Sequence, residues 1–111
     1  MSHKEKRSET RGHDTMAVVR THRYTVVTGK LAQLLEQRTL VLRAIRSANA
    51  AFTAATLIRQ EDGSYLDIWR WESAEGMRGA TASAQSCPLA TAAAALTTHH
   101  SVVDGKVLDE R

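Results

Sequence analysis

The sequence predicts an α+β domain of the ferredoxin-like βαββαβ kind, a four-stranded antiparallel sheet with helices on one face. Three observations predict it. The apolar residues switch between strand and helix periodicity in the order strand, helix, strand, strand, helix, strand. An Asp62-Gly63 pair separates the two middle strand-like runs. The 111 residues suffice for one hydrophobic core and are too few for two.

Residues 17–28 (AVVRTHRYTVVT) are rich in Val, Thr and Tyr, which suit a pleated, half-buried strand. Alternation puts Arg20, His22, Tyr24 and Val26 on one face, with Val19, Thr21, Arg23, Thr25 and Val27 on the other. Gly29 ends the run. Over residues 30–48, Leu31, Leu34, Leu35, Val41, Leu42, Ile45 and Ala48 follow the spacing of an amphipathic helix. Arg38 falls inside that apolar stripe.

Residues 52–60 and 64–72 read as the arms of a hairpin, with Asp-Gly as a turn whose two residues both tolerate positive φ. Tyr65, Asp67, Trp69 and Trp71 share one face of the second arm, and Leu66, Ile68 and Arg70 the other. Ser73 stands where a helix N-cap belongs, and Glu75 follows in the first turn, where a carboxylate favours the helix dipole. This helix runs through Met77, Ala80 and Ala84 toward Cys87. Pro88 interrupts it, and an Ala-rich helical piece follows to about residue 96. Residues 98–108 form the last strand, with an irregularity expected at Gly105. Residues 1–15 read as a flexible polar tail and residues 16–111 as the domain.

A sheet covered on one face leaves the other open. Here the open face carries either Trp69 and Trp71 or Leu66 and Ile68. A bare apolar sheet face marks a binding or dimer surface, and a homodimer whose two sheets face each other buries it.

The net charge of +3 does not imply nucleic acid as a partner. Phosphate tracking needs clustered positive charge. Here the arginines from Arg20 to Arg78 are scattered singly, and Lys4, Lys6, Arg7 and Arg11 interleave with Glu5, Glu9 and Asp14. The RNA-recognition fold shares this element order but stacks bases on aromatics of its first and third strands, and the first strand supplies only Tyr24. No apolar run approaches the roughly 20 residues of a membrane span, and no secretory signal pattern opens the chain. The single cysteine, Cys87, makes no internal disulfide, fits a reducing cytoplasm and reads as a small buried filler. No Cys/His spacing suits a metal, since His99 and His100 are adjacent and point to opposite faces of a strand. Phosphate-loop and nucleophile-elbow patterns are also missing.

Residues 56–81, TLIRQEDGSYLDIWRWESAEGMRGAT, combine a hairpin, an aromatic strand ending in Trp71-Glu72-Ser73, and an acidic helix start. This segment resembles the antibiotic biosynthesis monooxygenase family of the dimeric α+β barrel superfamily. The resemblance implies two chains paired through their sheets, each with a pocket between sheet and helices. It also implies oxidation of a small polyketide- or quinol-like aromatic by dioxygen with no cofactor. Once deprotonated, such a substrate can itself reduce oxygen, so the protein need only bind it, take the proton and stabilise the anion. A non-redox binding protein or cyclase on the same scaffold is the alternative. The Pro-Gly turn common before the family's second strand is replaced here by Ser47 to Phe52. The haem-degrading branch pairs its Trp with a His about ten residues later and an Asn on the first strand. Thr81 stands at that His spacing, and the first strand offers Arg20, His22 and Tyr24 in place of the Asn, so haem degradation is not expected.

Trp71 is then either a flat indole wall with an N–H donor for an aromatic ligand or a core tryptophan, and Trp69 has the same readings, with core or dimer contact favoured. Arg38 either holds a substrate oxyanion or runs its head out to solvent. The catalytic candidates are His22, Tyr24 and Asp67. His22 is either the natural base near neutral pH or, as is commoner for a lone strand histidine, merely hydrogen-bonded. Asp67 either serves as base with a raised pKa or pairs with an arginine such as Arg59. The choice of proton acceptor among the three stays open.

Overall fold

A computed structural model describes residues 16–84 and 87–111; the polar tail expected over 1–15 lies outside the described residues. The elements are β1 (Val18–Val26), α1 (Leu31–Ala48), β2 (Phe52–Arg59), β3 (Tyr65–Trp71), α2 (Ala74–Ala84), α3 (Pro88–Ala94) and β4 (Thr97–Lys106). The four strands form one antiparallel sheet in the order β2-β3-β1-β4. This is the ferredoxin-like arrangement that the periodicity predicts.

Pairing of β1 with β3 sets Val18 opposite Trp71, Arg20 opposite Trp69, His22 opposite Asp67 and Tyr24 opposite Tyr65. Side chains alternate across a strand, so these rungs all face the same way, toward the helices. One end of this inner face holds the core, where Val18, Phe52 and Trp71 pack with Met77 and Ala80 of α2. The Phe52 ring lies 4.7 Å from that of Trp71 and 5.7 Å from that of Trp69. Leu34 and Val41 are the buried residues of α1.

The opposite parity carries the outer face. Cross-strand register groups Ile58 with Leu66 and Ile68 with Thr21 and Val103. Leu66 and Ile68 are therefore the pair on the open side, and the two tryptophans face the helices. Val103 is 69% exposed and Ile58 42%.

Local chemistry accounts for the turns and caps. The Ser73 hydroxyl accepts the Gly76 N–H at 3.1 Å and so caps α2. The hairpin loop is the three residues 61–63 that the two arms leave between them, but only one of the Asp-Gly pair uses positive φ. Gln60 N–H donates to the Ser64 carbonyl at 2.8 Å, closing a three-residue loop in which only Gly63 takes positive φ (+89°). Asp62 stays out of the left-handed region because its carboxylate accepts the Ser64 N–H at 2.8 Å, the local bond that makes Asp a turn residue. The irregularity of β4 is also displaced. Gly105 pairs with Val19 in unbroken register, and the bulge falls where His99 and His100 together oppose Tyr24. His99 takes the left-handed conformation (φ +56°) that such a bulge needs. Cys87 is half-buried at the N-cap of α3 rather than in the core.

Candidate active site

Between the inner sheet face and the helices lies a largely apolar cavity of about 250 Å³. β1 contributes Arg20, His22 and Tyr24, and β3 contributes Asp67, Trp69 and Trp71. Strand alternation supplies both sets. Across from the sheet, Leu34, Arg38, Val41 and Ile45 of α1 form one helical stripe along the wall. α3 closes the space with Ala90, Ala93 and Ala94, whose small side chains leave it unfilled. The Ala-rich run is thus a physical reason that the cavity exists.

The six residues singled out in the sequence come together here. Asp67, 3% exposed, is a hub that accepts four hydrogen bonds. Arg38 Nε donates to Oδ2 at 2.9 Å and Nη2 to Oδ1 at 2.8 Å. Tyr24 Oη donates to Oδ2 at 2.8 Å, and Trp69 Nε1 donates to Oδ1 at 2.8 Å. Two bonds from a guanidinium and two from neutral donors leave a buried carboxylate well satisfied. Burial, and next the Asp67 charge, push the Tyr24 hydroxyl above the ordinary phenol range, so it stays a donor.

Two expectations need correcting. The partner of Asp67 is Arg38 and not Arg59, which lies opposite Tyr65 at the strand end and donates from Nε to Tyr65 Oη at 3.2 Å. Arg38 does not run out to solvent, since its side chain is only 16% exposed and turned onto Asp67. Of its five N–H groups two are committed to the carboxylate, so further donors remain for a ligand.

His22 lies beside Trp69, with ring centroids 5.0 Å apart, and its Nδ1 is 3.0 Å from Nε2 of His100. Burial, and next the neighbouring His100, push its pKa down from 6.5 to about 4, so at neutral pH the ring is uncharged. Its other nitrogen, Nε2, is buried with no hydrogen-bond partner, and so is Nε1 of Trp71. Both side chains line the cavity. Orphaned polar atoms in a wall are where a ligand gains most, because their desolvation has already been met in folding.

Sequence reasoning overlooked four neighbours. Arg20 makes a bidentate pair with Asp104 (2.7 and 2.8 Å) and donates to Thr81 Oγ1 at 3.0 Å. Arg20 and Thr81 line the cavity, and so does His100. Arg20 was visible as the face-mate of His22, and Thr81 as the residue at the His spacing of the haem-degrading branch. His100 and Asp104 required the register of β4. Among the described residues no group of three His, Cys, Asp or Glu side chains is placed to hold a metal ion. No helix among them is long and apolar enough to cross a membrane.

No protein-family model matches the chain. No curated protein sequence matches it either. Solved structures do. SnoaB, a cofactor-independent oxygenase from Streptomyces nogalater, superimposes with a TM-score of 0.64 at 26% identity, covering 86% of this chain and 95% of that one. An antibiotic biosynthesis monooxygenase matches with a TM-score of 0.65 at 13% identity, over 83% of this chain and 99% of the other. A dimeric ferredoxin-like protein from an uncultured marine organism matches with a TM-score of 0.66 at 11% identity, over 92% and 96%. The chain thus resembles the antibiotic biosynthesis monooxygenases over most of its length, as the segment around Trp71 indicates.

Proposed function

We propose that the protein is a cofactor-independent monooxygenase. It takes a small, flat aromatic ligand of the polyketide or quinol type, removes an acidic proton, and lets the resulting anion react with dioxygen. For a ring methylene the balance is one methylene and one dioxygen in, one ring carbonyl and one water out, with the substrate as the only reductant. The observation that carries this reading is an apolar cavity walled by Trp69, Trp71 and His22, a histidine whose Nε2 is a buried base nitrogen with no hydrogen-bond partner. Its volume is at the small end for ligand cavities and suits two or three fused rings. The likeness to SnoaB supports the same chemistry.

Within this proposal the three catalytic candidates divide by what their atoms already do. The Tyr24 proton is held on Asp67, and Asp67 is occupied by four donors. His22 is left as the proton acceptor, with Tyr24 and Asp67 fixing the wall that carries Trp69 and Arg38. Trp71 Nε1 and the remaining Arg38 N–H groups are the donors for the developing oxyanion, as electrostatic stabilisation requires. The outer face, with Ile58, Leu66, Ile68 and Val103, supports a homodimer paired through its sheets.

The test is dioxygen uptake by metal-free protein over a panel of anthrones, naphthols and quinols, with His22→Gln as control. Uptake with quinone or hydroxylated product, lost in the control, is the expected result. Tight binding of the same compounds with no uptake assigns the pocket to the non-redox binding or cyclase alternative.

A further inference from the structure

A base with a pKa near 4 poses a difficulty at neutral pH. If His22 kept the proton it took, the imidazolium would sit in a site that disfavours its charge. The neighbouring histidine resolves this.

The rings of His22 and His100 are nearly coplanar, with an interplanar angle of 18° and centroids 5.1 Å apart. The facing nitrogens, Nδ1 and Nε2, are 3.0 Å apart. A centroid separation close to the N···N distance plus two ring radii means the nitrogens point at each other, edge to edge, and the rings do not lie face on face. That is the alignment of an N–H···N hydrogen bond. His22 has its second nitrogen buried and free, and it belongs to a ring that lines the cavity. His100 also borders the cavity but is exposed. The β4 bulge is the local feature next to which His100 meets β1 at this position.

The geometry points to a two-histidine proton relay: His22 Nε2 takes the proton of the bound ligand while the hydrogen on His22 Nδ1 passes to His100 Nε2, and the charge leaves the pocket on His100. This rests on the reading that the pocket deprotonates its ligand. The ligand's bond to hydrogen breaks and its electron pair stays behind as the anion. An Nε2–H bond forms on His22 as its Nδ1–H bond breaks, so His22 passes from one neutral tautomer to the other. His100 becomes the imidazolium and releases its Nδ1 proton to water. The same steps in reverse, with a proton from water, reset the pair when Nε2–H protonates a departing oxygen.

The surroundings fit this division. The charged and titratable groups around the pair are Arg20 on β1, Asp67 on β3, Arg38 on α1, and Asp104 on β4, with Tyr24 edge-on to His100 at 5.8 Å. Arg20 is paired with Asp104 and Arg38 with Asp67. Their charges are therefore compensated, and α3 brings only alanines. No free carboxylate stands beside His22 to hold a charged imidazolium in place.

The test separates proton removal from oxygen chemistry. Anthrone, whose enolate absorbs in the visible, is mixed anaerobically with wild-type protein, His100→Phe and His100→Gln in a stopped-flow instrument. The expected result is enolate formation with wild type, slowed at least about tenfold in both variants, within the range of general acid–base effects. The anthrone Kd stays unchanged, and free imidazole restores the rate. His100→Gln keeps a polar group of similar reach at an exposed site, so loss there does not reflect misfolding. Full rate in either variant overturns the relay, as does a lost rate that imidazole does not restore. No enolate with the wild-type protein overturns instead the reading on which the relay rests.

Discussion

Arg38→Met tests the hub at its strongest link. The substitution keeps most of the side chain's apolar stem but removes both charge-assisted hydrogen bonds to Asp67, leaving Tyr24 and Trp69 as its donors. Hydrogen bonds to a charged group contribute about 1.5–3 kcal/mol each, and breaking a buried ion pair from one side costs about 3–5 kcal/mol. The Asp67 side chain is 5% exposed and that of Arg38 16%. Partial access at the guanidinium end sets the expectation near the lower limit, about 3 kcal/mol. For a domain of this size each kcal/mol lowers Tm by about 4–8 °C, so a fall of roughly 12–24 °C is expected. Urea unfolding followed by far-UV circular dichroism gives the free energy directly. A double-mutant cycle with Asp67→Asn isolates the pair, and a coupling above about 1.5 kcal/mol is expected for two groups in one network. A coupling below about 0.5 kcal/mol would refute the reasoning, because it would mean that solvent screens the pair despite its burial.

Three further outcomes follow from the same geometry. Trp71→Phe keeps an aromatic ring in the core and removes a buried N–H with no acceptor; stability should move by no more than about 1 kcal/mol while aromatic ligand binding, read by calorimetry, weakens roughly 5- to 30-fold. His22 has its pKa lowered from 6.5 to about 4 on folding, so between those values the unfolded chain binds a proton that the folded one refuses. Stability should therefore fall by up to about 3 kcal/mol as pH drops from 6.5 to 4, and His22→Gln should flatten that part of the profile. Val103→Asp places a charge at a site 69% exposed on the outer face. It should change the stability of the separate chain by less than about 0.5 kcal/mol yet convert a sheet-paired dimer to monomer in sedimentation velocity; an unchanged mass would remove that face from the interface.

How far the site was legible depends on how local each determinant is. Period-two alternation is a property of the strand alone, so Arg20, His22 and Tyr24 could be grouped on one face, and Asp67, Trp69 and Trp71 on another, before any pairing was known. That both groups face the helices is set by packing, which buries Trp71, half-buries Trp69 against the core and leaves Leu66 and Ile68 on the other side of the sheet. The Arg38–Asp67 pair was beyond reach for the same reason: it depends on the rotation of α1 against the sheet, which the helical stripe narrows to a face but not to a rung. Arg59 seemed a closer partner in sequence, yet antiparallel register carries it past Asp67 to Tyr65. His100 shares a strand face with Val102 and Asp104 by alternation. Only the pairing of β4 with β1 turns that face inward. The Asp-Gly signal and the bounds of the two arms located the hairpin and its three-residue loop, and left the conformation of Asp62 to its side-chain bond with the Ser64 N–H.

Apart from Arg20 with its partners Asp104 and Thr81, and His100, two sets of polar atoms in the cavity wall bear on what it can hold. Asp67, Tyr24, Arg38 and Trp69 satisfy one another, so a ligand gains little by displacing any of them and would leave a buried charge exposed to an apolar surface. Trp71 Nε1 and His22 Nε2 satisfy nothing. One is a fixed donor, because an indole nitrogen cannot accept. With the shared hydrogen on His22 Nδ1, the other is a fixed acceptor. A purely hydrocarbon ligand would fill the cavity and leave both still unpaired, forgoing a gain of about 1–3 kcal/mol each. A permanently charged ligand would bring a charge that neither orphan can neutralise. A neutral aromatic carrying an oxygen acceptor and an acidic hydrogen meets both, and its anion, formed when His22 takes that hydrogen, strengthens the bond from Trp71 as charge gathers on the oxygen. The same two unpaired atoms that raise the free energy of the empty site thus favour the deprotonated ligand over the neutral one, which is the differential binding that catalysis requires.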